Sequence, residues 1–450
     1  MIDQKQALAI YPEEYSLLTD LYQLTMIACY QGENLAYRPA SFEMFARKLP
    51  EGFGYIVAMG LTQVLNYLEN LHFSEAQIEA LQATGIFDKA PPDFWKMLAT
   101  GRFTGDVWAV PEGTAIFPNE PFLRIDAPLW QAQLVETFVL NTINYQSLIA
   151  TRAARLRDVA GKEARLLEFG TRRAFSPQGA LWAVRAALAG GLDATSNVIG
   201  ALKLGQKPVG TMAHALVMAI GATEGGEDEA FTAFQRYFPA ASLLIDTYDT
   251  VEAAQRLAKQ VEAGQRQVTG VRLDSGDLAT LSQKVRELLP DIAIFASGDI
   301  DEEEIERLQA AGASIDGYGL GTKLVTGKPI NGVYKLVQID DIPTLKQSSS
   351  KATYPGRKQV FRYPNRDCLA LAEETPPEGA QALLKRVMQE GKRLIDIESI
   401  EQIRDRVSQS VAQLPPATRR IHNPESVTVA ISPALADLTA KVKARIHSVV

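Results

Sequence analysis

The chain has 450 residues, of which 46% are apolar, 22% charged and 8% aromatic, and a formal net charge of -7; this is the profile of a globular protein with room for two or three domains. The acidic balance argues against a nucleic-acid surface. Two distant cysteines (Cys29 and Cys368) make no disulfide framework, and His72, His214, His422 and His447 have no zinc-ligand spacing.

No apolar stretch is free enough of polar residues to read as a membrane span. No secretory pattern is visible ahead of the first helix, so a reducing, cytoplasmic setting is the expectation. Residues 15–31 carry apolar side chains at helical spacing, broken by Asp20 and Tyr22. The stretch from Phe42 to Gly60 reads as a strand, a turn and a return, and helices are predicted over Leu61–Leu71 and Ser74–Thr84. A further helix opens at Pro91, where a proline costs little. GDVWAV, TAIF and FLRIDAP are short β-like pieces, and a long helical run from Leu129 to about Val159 follows, nearly uncharged in its first half.

From Arg165 the texture changes. RLLEF, PVGTMAH, SLLIDTYD, GVRLD, IAIFAS and SIDGYG are strand candidates, separated by amphipathic helices such as TVEAAQRLAKQVEAG and LATLSQKVRELLP. Strands alternating with helices indicate βαβ units and a parallel sheet. About seven strands fit before Lys323, so a full or incomplete α/β barrel is the reading, with a doubly wound open sheet as competitor. Beyond Lys328, GVYKLVQI and QVFRYP look antiparallel, and helices are predicted near Ala380–Gln389, Ile400–Gln409 and Ser432–Ile446. Three segments result: residues 1–128, residues 129–328 with the loops that carry chemistry, and residues 329–450, which pack with the first as a second body.

Three glycine-rich turns follow apolar runs in the second half: VRLDSGDL, IFASGDI and GYGLGTKL. At one end of a parallel sheet they collect backbone N–H groups and short polar side chains in one mouth, suited to an anionic guest such as a sugar phosphate. Asp274, Ser275, Gly276 and Asp277 form the first turn; the carboxylates suit a ribose diol or hydrated magnesium, or else cap the next helix. Arg272 shares the strand side of Asp274, and an arginine in a parallel strand needs an anionic partner. Ser297, Gly298 and Asp299 repeat the pattern, and Gly319, Gly321 and Thr322 extend it. Arg172 and Arg173 follow RLLEF as a fork for carboxylate or phosphate, and Phe169 offers a ring face or is core. Asp193, Thr195, Ser196 and Asn197 form another polar cluster. His214 after PVGTMA is a base, a ligand, a nucleophile or a satisfied core histidine. No P-loop, dinucleotide fingerprint or nucleophile elbow is present.

LLTDLYQLTM, FEMFARKLP, EFGTRR, DATSNV, GTMAH, VRLDSGDL, FASGDI, GYGLGTKL and PGRKQVFR occur in the order found in the nicotinate phosphoribosyltransferase family, which this chain resembles over nearly its whole length. The resemblance implies an irregular α/β barrel of type II phosphoribosyltransferases, beside an α/β domain built from the N- and C-terminal segments. It implies ATP-dependent transfer of phosphoribosyl from phosphoribosyl pyrophosphate to nicotinate in NAD biosynthesis, with magnesium accompanying the phosphates and no permanent metal site. It further implies a homodimer with shared active sites. Tyr22 of one subunit and Phe169 of the other would sandwich the pyridine ring, with Arg172 and Asp193 near its carboxylate. Arg272 and Asp274 would meet the reacting ribose. Ser275, Gly276, Ser297, Gly298, Asp299, Gly319, Gly321 and Thr322 would hold ribose and phosphate. His214 would be phosphorylated from ATP. Ala215 stands where many members carry a hydroxyl residue. Nicotinamide as acceptor and a catalytically silent barrel that binds phosphometabolites are the alternatives.

Overall fold

A computed structural model describes residues 10–348, 351–364 and 366–448. They form two compact units. One holds the described residues up to Leu148, Pro329–Ser399 and those from Gln409 onward; the other holds Ile149–Lys328 and Ile400–Ser408.

The first unit is built on a seven-stranded, wholly antiparallel sheet. Its order is Ile342–Pro343, Val333–Ile339, Pro39–Phe45, Pro121–Pro128, Asp106–Ala109, Lys385–Gln389 and Lys392–Arg393. Strands from the first part of the chain occupy the middle and strands from beyond residue 330 flank them, so this sheet draws on both parts of the chain. Phe42, Met44, Leu123, Ile125 and Val107 are buried on the central strands, and Phe42 stacks on Tyr334 with ring centroids 5.0 Å apart. The helix Glu75–Ala83 starts where its cap predicts: Ser74 Oγ accepts the N–H of Gln77, and Gln77 Oε1 accepts the N–H of Ser74. A smaller sheet, Gln381–Ala382, Lys358–Tyr363, Arg366–Leu371 and Val429–Ile431, completes this unit.

The second unit carries six parallel strands: Arg165–Glu168, Ala194–Thr195, Leu243–Leu244, Gly270–Leu273, Ala293–Ser297 and Gly317–Leu320. Neighbours in sequence are neighbours in the sheet, except between the second and third strands. The sixth strand returns to pair with the first. The sheet is therefore a barrel open along one seam. Short strand-to-helix loops are fixed by polar caps: Asp249 accepts the N–H of Glu252 (2.8 Å), Asp301 that of Glu304 (2.9 Å) and Asn197 that of Gly200 (2.8 Å).

Three elements differ from the sequence reading. Pro208–Ala213, expected as a seventh strand ending at His214, has no ladder among the described residues; the Val209 N–H donates to Thr195 O (2.9 Å), and His214 begins a helix, His214–Glu224. The long run breaks at Val135 into helices Leu129–Leu134 and Glu136–Ala160. The helix expected near Ala380–Gln389 is two strands, because Asp106–Ala109 offers Lys385–Gln389 an edge to pair with.

Candidate active site

The C-terminal ends of the barrel strands converge at one mouth. The parallel register sets Ala296 beside Leu273 and Ser297 beside Gly319, so the residues that follow face each other across three strands. Ser297 Oγ donates to Asp274 Oδ1 at 2.5 Å. Gly298 has φ +97°, and a Cβ there would stand 2.4 Å from the carbonyl oxygen of Asp274; only glycine lets these two turns touch. A Cβ on Gly319 would lie 2.6 Å from Phe169 Cδ2, so the Phe169 ring covers the sixth strand. The Phe169 N–H donates to Leu320 O (2.7 Å), which fixes that ring at the rim.

Arg272 lies in the wall below. Its Nη1 donates to Thr211 Oγ1 (3.0 Å) and Nη2 to Met212 O (3.1 Å), while Nε is buried and has no partner among the described residues. Burial pushes its pKa down; the carboxylates of Asp274 and Asp246 push it back up, and the nearby Arg172 guanidinium adds repulsion. Two arginines that repel each other, one with an unused buried donor, favour an anion between them. Arg172 itself is exposed.

Asp246 was not singled out from the sequence and proves central. It follows the third strand and is 9% exposed. Its Oδ2 accepts the N–H of Asp274 (2.9 Å) and the hydroxyl of Ser275 (2.7 Å), and its Oδ1 is buried without a partner among the described residues. Thr247 Oγ1 lies 3.1 Å from His214 Nδ1. His214, Asp246, Thr247 and Ser275 line an open cleft of about 660 Å³ together with Met218 and Tyr248. The signal was present: LLID ends an apolar run with aspartate just as VRLD does. Glu168, also unpredicted, is buried; it accepts the hydroxyl of Thr195 and the N–H of Gly170, both at 2.5 Å, and so ties the first two strand ends together. Burial raises its pKa against those bonds. Arg152 gathers the carbonyls of Lys323 and Thr326, shaping the loop after Thr322.

Phe169, Arg172, Arg272, Asp274, Ser275, Ser297, Gly298, Asp299, Gly319, Gly321 and Thr322 thus lie on strand ends or the loops directly after them. Gly276, at φ +83°, turns the chain into the helix Leu278–Leu288. Asp277 opens that helix and accepts from Thr280 Oγ1 (2.5 Å), so it serves as the helix start rather than as a free carboxylate. Asp193 stands apart: its Oδ2 accepts from Arg157 (2.7 Å) and from the N–H of Leu166 (2.7 Å), at the entry of the second strand. Tyr22 belongs to the other unit, near the start of the helix Leu21–Gly32, and is 47% exposed. Among the described residues no group of three or more His, Cys, Asp or Glu is arranged to hold a metal ion, and no helix is long and apolar enough to cross a membrane.

Family models match in sequence along the chain: the nicotinate phosphoribosyltransferase N-terminal domain over residues 17–144, the nicotinate phosphoribosyltransferase family over 164–351 and the C-terminal domain over 372–439. The nicotinate phosphoribosyltransferase pncB2 of Mycobacterium tuberculosis is 40% identical over 97% of this chain and 96% of its own. That of Bacillus subtilis is 42% identical over 80% and 77%. The crystal structure of human nicotinic acid phosphoribosyltransferase superposes with a TM-score of 0.82 at 30% identity, covering 95% of this chain and all of that one.

Proposed function

The chain belongs to the nicotinate phosphoribosyltransferase family, and from that premise we propose how its residues carry out the transfer of phosphoribosyl to nicotinate in NAD biosynthesis. The observation that carries the reading is the meeting of Asp274, Ser297, Gly298 and the Phe169-covered Gly319 at one barrel mouth above the unused donor of Arg272. The glycine turns bring backbone N–H groups to the 5'-phosphate and ribose of phosphoribosyl pyrophosphate. Asp274, fixed by Ser297 and Asp246, faces the ribose. Phe169 stacks on the pyridine ring, and Arg172 meets its carboxylate.

As the bond to diphosphate lengthens, C1' gains oxocarbenium character and the pyridine nitrogen attacks the opposite face. That nitrogen carries no proton, so no general base is needed. Magnesium arriving with the donor would supply charge neutralisation at the leaving diphosphate. Such an ion is usually held by one or two carboxylates plus substrate phosphates, and the exposed Asp299 and the unpartnered Oδ1 of Asp246 fit that demand. ATP is the co-substrate: it phosphorylates His214, which stands at a helix N-terminus where negative charge is favoured. The working molecule is a homodimer in which Tyr22 of a second copy covers the other face of the pyridine ring.

The test is product formation from labelled nicotinate, phosphoribosyl pyrophosphate and magnesium, with and without ATP, beside nicotinamide as competitor. Nicotinate mononucleotide formed faster with ATP is the expected result. Preference for nicotinamide, or indifference to ATP, would overturn the corresponding part.

A further inference from the structure

The dipeptide Asp246–Thr247 touches both halves of the proposed chemistry. Thr247 Oγ1 is 3.1 Å from Nδ1 of His214, and Asp246 Oδ2 accepts from the backbone of Asp274 and the hydroxyl of Ser275. A hydroxyl can donate to a ring nitrogen or accept from it. Nε2 holds a lone pair only in the tautomer that keeps its hydrogen on Nδ1. That hydrogen then points at Thr247.

We propose that Thr247 and Asp246 are positioning residues that link the phosphorylation state of His214 to the donor-binding loop. This rests on the phosphohistidine reading above. Thr247 accepts the Nδ1 hydrogen and so presents Nε2 to the γ-phosphorus of ATP. The Nε2 lone pair forms the N–P bond, the bond from phosphorus to the β,γ-bridging oxygen breaks, and ADP leaves with that electron pair. The ring keeps its Nδ1 hydrogen and gains positive charge, which strengthens the bond to Thr247. Asp246, adjacent in the chain, carries the tightened geometry to Asp274 and Ser275. Its nine-tenths burial and its two accepted bonds leave it little freedom to absorb the change. Coupling of this kind is reciprocal, so bound donor favours the phosphorylated ring.

The experiment follows two quantities in the full-length protein: acid-labile phosphate on the chain after incubation with ATP, and the KM for phosphoribosyl pyrophosphate with and without ATP. Thr247→Val lowers both the phosphohistidine level and the ATP-induced change in KM by about tenfold, the scale of one hydrogen bond to a charged group. Thr247→Ser retains both, which a purely structural role for the β-branched side chain does not predict. Asp246→Asn loses the ATP-induced change in KM, read against its own KM without ATP. Thr247→Ala serves where the valine variant does not fold. A valine or alanine variant with wild-type phosphorylation and ATP response overturns the role of Thr247; an undiminished ATP effect in Asp246→Asn overturns that of Asp246. If His214→Ala still responds to ATP, the phosphohistidine reading itself fails and the coupling falls with it.

Discussion

Arg272 is the residue whose surroundings most nearly specify a ligand. Its buried Nε lacks a partner, and Arg172 repels it. Arg272→Met is expected to lower kcat/KM by about a hundredfold to a thousandfold, as loss of one preorganised donor does elsewhere. Steady-state kinetics with varied phosphoribosyl pyrophosphate checks this, and an unchanged value would remove Arg272 from the site. Gly298 is the second such position. An alanine there must hold φ near +97° and push its Cβ against the Asp274 carbonyl, a strain of about 1–3 kcal/mol. Denaturant unfolding of Gly298→Ala reads that cost, and a loss of donor affinity accompanies it because Asp274 is displaced.

Sequence reasoning found these positions because each has a signature: a charge inside an apolar strand, or a glycine between a strand and a helix. Asp246 escaped because the aspartate pair of LLIDTYD, spaced like that of VRLDSGDL, has no glycine between its members to mark a turn. Its role exists only through the N–H and hydroxyl that Asp274 and Ser275 bring from another strand.

At the scale of elements, the loops are held by their caps. Asp301 accepts the N–H of Glu304 and pairs with Lys323 at 2.7 Å, tying the fifth and sixth strand-to-helix connections together. Asp301→Ala is expected to cost about 1 kcal/mol from the lost cap, measurable as a lower unfolding midpoint. A different balance governs the small sheet of the first unit. Asp367 is buried there and Glu120, just ahead of Pro121–Pro128, is buried 3.9 Å from Arg362, which binds Asp367 through Nε (3.0 Å) and Nη2 (2.5 Å). Burial, then the Asp367 charge, raises the Glu120 carboxyl well above the ordinary carboxylate range. A folded-state pKa above the unfolded one means that the native state holds the proton more tightly. This contribution to stability is complete below the unfolded value and is lost as pH rises through the folded one. Denaturation midpoints should therefore decline with rising pH in that window, and Glu120→Gln should flatten the decline. An identical pH dependence in the variant would refute it.

The element types were readable wherever periodicity and local caps agree, as at Ser74 and Asp249. They were misread where a partner from far along the chain decides. QALLKRVMQ has helical spacing, yet it becomes strand against Asp106–Ala109. PVGTMA has strand-like composition, yet the Thr211 hydroxyl and the Met212 carbonyl serve Arg272 instead of a ladder.

At the scale of the molecule, the proposed homodimer makes a separate prediction. Tyr22 is exposed in the single chain, so Tyr22→Ala should cost activity while leaving the unfolding midpoint of the chain unchanged. If each site draws Tyr22 from one subunit and Arg272 from the other, mixing inactive Tyr22→Ala with inactive Arg272→Met restores part of the activity through sites built from the two intact surfaces. Mixed dimers without recovered activity would place both residues in one subunit's site. The parallel sheet of the barrel was legible from the alternation of strands and helices that begins at Arg165. The seam was not, because no local pattern marks the absence of a ladder.

The antiparallel sheet has its central strands drawn from residues 39–128 and its flanks from residues 333–393. A ribosome making this chain delivers the middle of that sheet early and its edges late, with all six barrel strands emerging in between. Since domains fold as units during synthesis, the nascent middle strands must wait with bare edges while the barrel assembles. Through that interval the bare edges are open templates for pairing with another chain.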